Sequence, residues 1–429
     1  MNHLHSVCHE KNVFLPSDSS PFTLQPHSDD VLKAAVALTF LYKTSLFQTD
    51  KDMKFSVNSA LLSQRLQTLG RVVNSKNSMP ILGNLYFKLS DNVLTVIASD
   101  NEVYLSTDIE LISSEGELEF TINAKTAQDS IKEIPEQPLD FNIDGDTLEI
   151  TVNYQNGTFS LMGESADQYP LAKPFVEEFP TIVIGNDTLQ RSINRALFAT
   201  NNDILRPVMS GVYFDYKPEG LNIVASDGRK LACTHLLDIH SETPCNFILP
   251  PKPASIYKTL LLKEEGDTVI KFNATNAMFQ CANYTMTCLL IAGRFPKYET
   301  VIPQNNPHVM GINRQALISA LRRILVFSNV STPLVKFRIE PGRLEISTRD
   351  TDYRRSGAET ILCDFNGSFL EMGFRGTLLN DMLNNMDNEE LLFKMADPSR
   401  ASIVVPAQNN EGEEVVMLVM PMMISDGHP

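Results

Sequence analysis

The chain carries none of the usual signatures of catalysis. It has no GxSxG elbow, no HExxH pair and no GxxxxGK[ST] phosphate loop, and its eight histidines are scattered. Serine-hydrolase, zinc-protease and P-loop chemistry are excluded, so any energy-dependent step must come from another protein. The six cysteines, Cys8, Cys233, Cys245, Cys281, Cys288 and Cys363, form no CxxC pair and no regular framework. That pattern reads as free thiols in a reducing cytosol. His3, His5, Cys8 and His9 crowd the first residues, but the second half of a ligand set is missing. No metal or cofactor is expected. No window reaches the run of about 18 apolar residues that a membrane span needs. The nearest, residues 31–47, is broken by Lys33 and Lys43 and lacks the basic start of a signal peptide. The expectation is a cytoplasmic protein without a membrane partner. Zinc-finger spacing, RNP aromatics and a helix-turn-helix are also missing, so any contact with nucleic acid is expected to ignore base sequence.

At 429 residues, 43% hydrophobic and 21% charged, the chain is an ordinary globular sequence too long for one core. Two to four domains are expected. A net charge of −16 opposes a nucleic-acid partner unless the cations are segregated.

The most informative feature is an internal repeat. Residues 96–100 read VIASD, 223–227 read IVASD and 345–350 read EISTRD, so Asp100, Asp227 and Asp350 recur at intervals of 127 and 123 residues. Before each lies an alternating block opening at Pro80, Pro207 or Pro333. Each block turns at Asp91-Asn92, Pro218-Glu219-Gly220 or Pro341-Gly342, which is hairpin chemistry. Upstream of each is an amphipathic helix: Leu62, Leu66, Leu69 and Val73; Leu189, Ile193 and Leu197; Leu317, Leu321, Ile324 and Leu325. Asn58-Ser59, Asn186-Asp187 and Asn313 stand where an N-cap belongs. A basic residue follows each aspartate by 25 positions (Lys125, Lys252, Arg375) and leads into a second helix. The three aspartates invite comparison with an acidic catalytic cluster, but equivalent places in separate domains keep them apart, and turn bonding is the better reading.

The fold class read from this pattern is α+β with antiparallel sheets, in three repeats over residues 53–179, 180–304 and 305–424. Residues 1–52 belong to none. MKFSV at Met53 is how the first repeat ought to begin, so the leading segment reads as a poorly ordered appendage, or an upstream misassigned start, with one short helix around 30–46. Scored separately, the six helical segments carry +10, leaving −26 elsewhere. If they share one face, that face can approach phosphates.

MKFSV at Met53, PILGNL at Pro80, ASDGRKLA at Ala225, GRFPKY at Gly293 and VMPM at Val419 together resemble the bacterial β sliding clamp, the β subunit of DNA polymerase III. The resemblance covers residues 53–424. It implies three DNA-clamp domains per subunit and a head-to-tail homodimeric ring, with antiparallel sheets outside and paired helices lining the inner face. Twelve helices about 10 Å across give a lining of roughly 120 Å, room for a duplex and water. It implies a non-catalytic processivity factor that encircles double-stranded DNA and tethers the replicative DNA polymerase, clamp loader and repair proteins through short linear motifs.

Positions matching the family's DNA-facing cations are Lys76 and Lys125, with Arg206 on a nearby loop; the repeat adds Lys252 and Arg375. The family often places aromatics after that arginine, where this chain has Pro207 and Val208. The implied subunit interface joins Phe159 and Leu161 to Val326 and Phe327, with ordinary core positions as the alternative. The implied peptide cleft comprises Met209, Ser226, Gly228, Arg229, Lys230, Leu231, Pro296, Thr300, Val301, Leu418, Val419, Met420, Pro421 and Met422, an apolar floor suited to Leu, Met or Phe anchors. Arg229-Lys230 replaces a common His-Arg pair, Met423 stands where arginine is frequent, and residues 425–429 extend beside the cleft. Two other readings stay open: a clamp-like scaffold that no longer encircles DNA, and a three-domain enzyme with an acidic site.

Overall fold

The structure, a computed structural model, describes residues 53–74, 76, 77, 79–173, 175, 180–201, 203 and 205–424. The expectations for residues 1–52 and for the tail 425–429 lie outside these.

One small pattern is built six times: a strand, a helix and a three-stranded meander. The six helices are α1 Ser59–Leu69, α2 Ala124–Ile131, α3 Asn186–Leu197, α4 Pro251–Leu261, α5 Arg314–Leu325 and α6 Gly376–Asn384. Units associate in consecutive pairs, giving three domains, and within each pair they exchange their first strands. Met53–Asn58 pairs with Pro138–Ile143 of the sister unit, while Leu118–Asn123 pairs with Asn84–Ser90. The same exchange recurs as Thr181–Gly185 with Asp267–Phe272 and Cys245–Leu249 with Val212–Lys217. It recurs again as His308–Asn313 with Glu390–Met395 and Leu370–Arg375 with Leu334–Glu340.

Local chemistry explains the pattern. Strand Val103–Glu110 alternates buried Val103, Leu105 and Ile109 with more exposed neighbours, the period-two signature of a sheet with one wet face. Leu62, Leu66 and Leu69 sit at helical spacing and are essentially inaccessible. Asn58, Asn123 and Asn313 cap α1, α2 and α5, each carbonyl oxygen accepting a backbone N–H three residues on. Asn186 departs from the expected cap. Gly185 takes that position, while the buried Asn186 amide donates to the carbonyls of Glu264 and Glu265 at 3.2 and 3.0 Å, closing the strand exchange in the second domain.

The repeated aspartates are hairpin caps. Asp100 Oδ1 accepts the N–H groups of Glu102 and Val103, Asp227 Oδ1 those of Arg229 and Lys230, and Asp350 Oδ1 those of Asp352 and Tyr353.

Domains join through the last strands of their meanders. Val103–Glu110 pairs with Thr285–Leu289, making a nine-stranded sheet across the first junction, and Lys230–Leu236 pairs with Glu413–Val419, making an eight-stranded sheet across the second. Arginines from α1 and α3 reinforce them. Arg65 lies 3.8 Å from the Glu264 carboxylate and 4.8 Å over the Tyr284 ring. Arg195, 1% exposed, pairs with the buried Glu413 carboxylate and, at 2.8 Å, with Asp387. The helical surplus of positive charge is therefore partly spent inside the chain. Arg195→Ala should leave the buried Glu413 with only the longer contact to Arg191 at 3.6 Å and lower unfolding free energy by about 3 kcal/mol, read as a reduced denaturant midpoint.

Candidate functional site

The eight-stranded sheet carries apolar residues on both faces. Lys230 stands opposite Val419, and Leu231 opposite Leu418. Because successive residues alternate sides, the two pairs face opposite ways. Val419 joins the main core, and Lys230 turns to the end of α3, where its ammonium donates to the Phe198 carbonyl and lies 4.8 Å over the Phe198 ring. Leu231 and Leu418 face outward, where Val224, Cys233, Ile248, Phe295, Tyr298 and Ala401 complete a second, smaller apolar cluster. Val208, Tyr213, Ile291 and Ile302 lie half-buried around it.

Residues 291–302 cross this cluster as a strap. The Ile291 N–H donates to the Ile248 carbonyl at 3.0 Å, and Phe295 stacks on Tyr213 with centroids 4.6 Å apart. The Tyr298 hydroxyl donates to Asp215 at 2.7 Å, and Lys217 bridges Asp215 and Glu299 at 2.8 and 2.6 Å. Pro296, Thr300 and Val301 alternate with these anchors on the exposed side of the strap, Val301 being 54% exposed. Burial pushes the Tyr213 phenol and the Cys233 thiol each up to about 12. Cys233 is thus a neutral packing residue at physiological pH.

The rim is set by two glycines. Gly228 has φ +87°, and a Cβ there would lie 3.6 Å from Arg206 Nη1 and 4.0 Å from Met209 Cε, so these three positions converge. Gly293, at φ +132°, lets Val208 approach to within 2.7 Å of where its Cβ would stand. Ser226 accepts the Gly228 N–H at 3.1 Å and donates to the Lys230 carbonyl at 2.8 Å. The C-terminal strip closes the other side. The Met420 N–H donates to the Arg229 carbonyl at 2.9 Å, and beyond Pro421 the Met422 N–H donates to Gly373 at 2.7 Å. Met420 and Met423 remain exposed.

Of the expected cleft set, the structure gathers Met209, Ser226, Gly228, Arg229, Leu231, Leu418, Met420, Pro421 and Met422 along this groove. It sends the side chains of Lys230 and Val419 to the other face. Sequence reading passed over Val208, Tyr213, Val224, Phe295 and Tyr298. The signal was the alternation of VYFDYK at Val212–Lys217, whose outward members Tyr213 and Asp215 are too apolar or too buried for a solvent face.

The expected DNA-facing cations divide. Lys76, Lys125, Arg206 and Arg375 are exposed. Lys252 is committed elsewhere: its ammonium pairs with Asp100 of the first domain and donates to the Val72 carbonyl at 3.0 Å. Arg375 is not the equivalent of Lys125 and Lys252 despite its spacing. It is the N-cap residue of α6, whereas the other two are the second residues of α2 and α4. Phe159 and Leu161 lie half-buried on the strand Gly157–Met162, and Val326 and Phe327 follow α5, 67% and 39% exposed. Among the described residues no group of three or more His, Cys, Asp or Glu is placed to hold a metal, and no helix is long and apolar enough to cross a membrane.

Two variants test the groove. Gly373→Val would place side-chain atoms against the Met422 carbonyl, already 2.6 Å from a Cβ there, so it should free the C-terminal strip to proteolysis while leaving global unfolding within about 1–2 kcal/mol of the parent. Glu299 is held below the usual carboxylate range by the hydrogen bond from Lys217. Its contribution to docking the strap is present above the ordinary glutamate pKa and lost as pH falls through the depressed value. Amide exchange over 291–302 should therefore stay slow at neutral pH and quicken only below the ordinary glutamate range, or at neutral pH in Lys217→Met.

Comparison with known proteins agrees with this architecture. The DNA polymerase III beta subunit family matches in three consecutive parts: its N-terminal domain over residues 53–173, its central domain over 183–297 and its C-terminal domain over 299–423. The chain is 27% identical over 369 residues to the beta sliding clamp of Pseudomonas putida, covering 85% of this chain and 99% of that protein. It is 27% identical over 382 residues to that of Haemophilus influenzae, covering 87% and 100%. The crystal structure of the Pseudomonas aeruginosa sliding clamp bound to griselimycin superposes with a TM-score of 0.81 at 25% identity, over 87% of this chain and all of that one. The Bacillus subtilis clamp, at 22% identity and a TM-score of 0.80 over 87% of this chain and 99% of that one, shares the fold. Six strand-exchanged units, a strapped groove at the second junction and a match running through all three domains lead to one assignment: the chain belongs to the DNA polymerase III beta subunit family and is a sliding clamp.

Proposed function

We propose that two copies close head to tail around double-stranded DNA and act without catalysis, in the cytoplasm, as a moving tether. Clients would be the replicative polymerase, the clamp loader and repair proteins, each docking a short linear motif in the groove.

The observation that carries this reading is a pair of unmet strand edges. Four of the six meanders end on a strand paired across a junction; among the described residues, Arg355–Leu362 and Gly157–Met162 end their sheets with no strand beyond. They lie in the first and third domains and belong to the same two unit types that join at both internal junctions. An interface between unlike patches that closes on itself makes a ring. The internal junctions also supply a register. Leu105 faces Met286 at the first and Ala232 faces Met417 at the second, and the matching positions at the open ends are Gly357 and Phe159. Gly357 leaves room that the Phe327 ring fills, 2.8 Å from where a Cβ would stand. Phe327, 39% exposed, corresponds along its helix to Val72 and Ala199, both fully buried. Leu362 and Val330, 86% and 87% exposed, border the same edge.

Binding to DNA would rest on exposed cations such as Lys76, Arg206 and Arg375 against an acidic remainder, weak and screened as sliding requires. The groove suits Leu, Met or Phe anchors, since Met209, Val301 and Met420 line its open margin above the buried pair Leu231 and Leu418.

Mass measurement in solution tests closure: a dimer is expected, and a lasting monomer would sink the proposal. Gly357→Leu should abolish the dimer while leaving a folded monomer. Loaded onto nicked circular DNA, the ring should stay until the circle is cut, whereas the free protein should bind short linear DNA feebly and lose it with added salt.

A further inference from the structure

We infer that Lys125 is a ring-closing residue, not a DNA-gripping one: in the closed dimer its ammonium docks on the hairpin cap Asp350 and on the carboxyl end of α5 in the second copy. The inference rests on the head-to-tail reading above and names a contact within it.

The first internal junction shows the contact already made. Lys252, second residue of α4, reaches across to Asp100, the hairpin cap of the preceding domain, and to the carbonyl of Val72, just past the end of α1. Two acceptors converge on one ammonium, a carboxylate and a carbonyl near a helix C-terminus, both favourable to a cation. Every participant has a counterpart at the open ends. Lys125 is the second residue of α2, following N-cap Asn123 as Lys252 follows Pro250. Asp350 caps its hairpin through Oδ1 as Asp100 does, leaving Oδ2 for a cation. Phe327 stands after α5 as Val72 stands after α1.

The second junction acts as a control within the same chain. The second residue of α6 is Thr377, which has no charge to offer. Asp227 turns instead to Lys230 of its own hairpin, 3.9 Å away. In the single copy, Asp350 behaves likewise, with Arg355 at 3.0 Å on Oδ2. Asp350 is buried beneath Arg355, whose own side chain is 43% exposed, so Arg355 swings aside as Lys125 arrives, and Asp352 adds a second acid on the same hairpin. Lys125 itself sits at a helix N-terminus, where the dipole disfavours a cation. A neighbour's carboxylate accounts for a lysine there.

The test is a double-mutant cycle on the full chain, reading the dimer dissociation constant. Asp350→Asn keeps Oδ1 to cap the hairpin while removing the charge, and thermal unfolding of each variant shows that it folds. Lys125→Met should raise Kd by about 5- to 30-fold, as expected for a coupled interfacial charge pair, and Lys125→Arg should restore most of that loss. Asp350→Asn should raise Kd similarly, and the double variant should be no worse than the weaker single one. A Lys125→Met protein that dimerises like the parent but slides off or dissociates from circular DNA faster would overturn the inference and return Lys125 to the DNA face, with the ring intact. Additive losses in the double variant would also overturn it, since the two residues would then act apart. A parent chain that stays monomeric at all concentrations would remove the ring itself, an outcome distinct from either.

Discussion

The last strand of a meander has one hydrogen-bonding edge to spare, and in this chain nearly everything turns on where those edges are met. An open edge is a row of unpaired N–H and C=O groups that invites association. Six meanders supply six such edges, and the order of units along the chain satisfies four of them internally. The continuous sheets that result run across domain borders, so the domains are fixed to one another by backbone pairing and not by side chains alone. The groove exists because of that pairing: its floor, Leu231 and Leu418, is one rung of the ladder between the second and third domains.

Electrostatics follows the same division between joints and free surface. Arg65, Arg195 and Lys252 bind carboxylates at junctions, while Arg323 holds Glu359 within its own domain beside the open edge. The buried pairs of Arg65 and Arg195 contribute little net stability compared with apolar packing, but they penalise misregistered joining because each leaves a charge stranded when its partner is displaced. Other cations, Lys76, Lys125, Arg206 and Arg375 among them, stay exposed.

Much of this was legible in sequence, and the gaps have physical causes. The hairpin aspartates, first helices and Asn58 and Asn313 caps were readable because turn and cap chemistry is local. The sixfold repetition was not, because the second unit of each pair lacks the ASD signature, and the strand exchange that unites the pairs is a long-range fact. The summed helical charge could not show that Arg65 and Arg195 are buried, for the same reason: nothing local says that a neighbouring domain will cover them. Arg375 was misaligned because loop lengths between repeats differ, so equal spacing did not mean equal position. Lys230 and Val419 were placed in the groove by family pattern, although the parity of a strand sends alternate side chains to opposite faces.

The exchange of first strands within each pair has a consequence for how such a chain can change over time. A lone unit would lack the opening strand its own meander requires and would carry one that fits only a sister. Insertion or deletion of a single unit would therefore leave two sheets incomplete. Chains of this kind can grow or shrink only by whole pairs, and each added pair lengthens the chain by one domain while still ending on one edge of each kind.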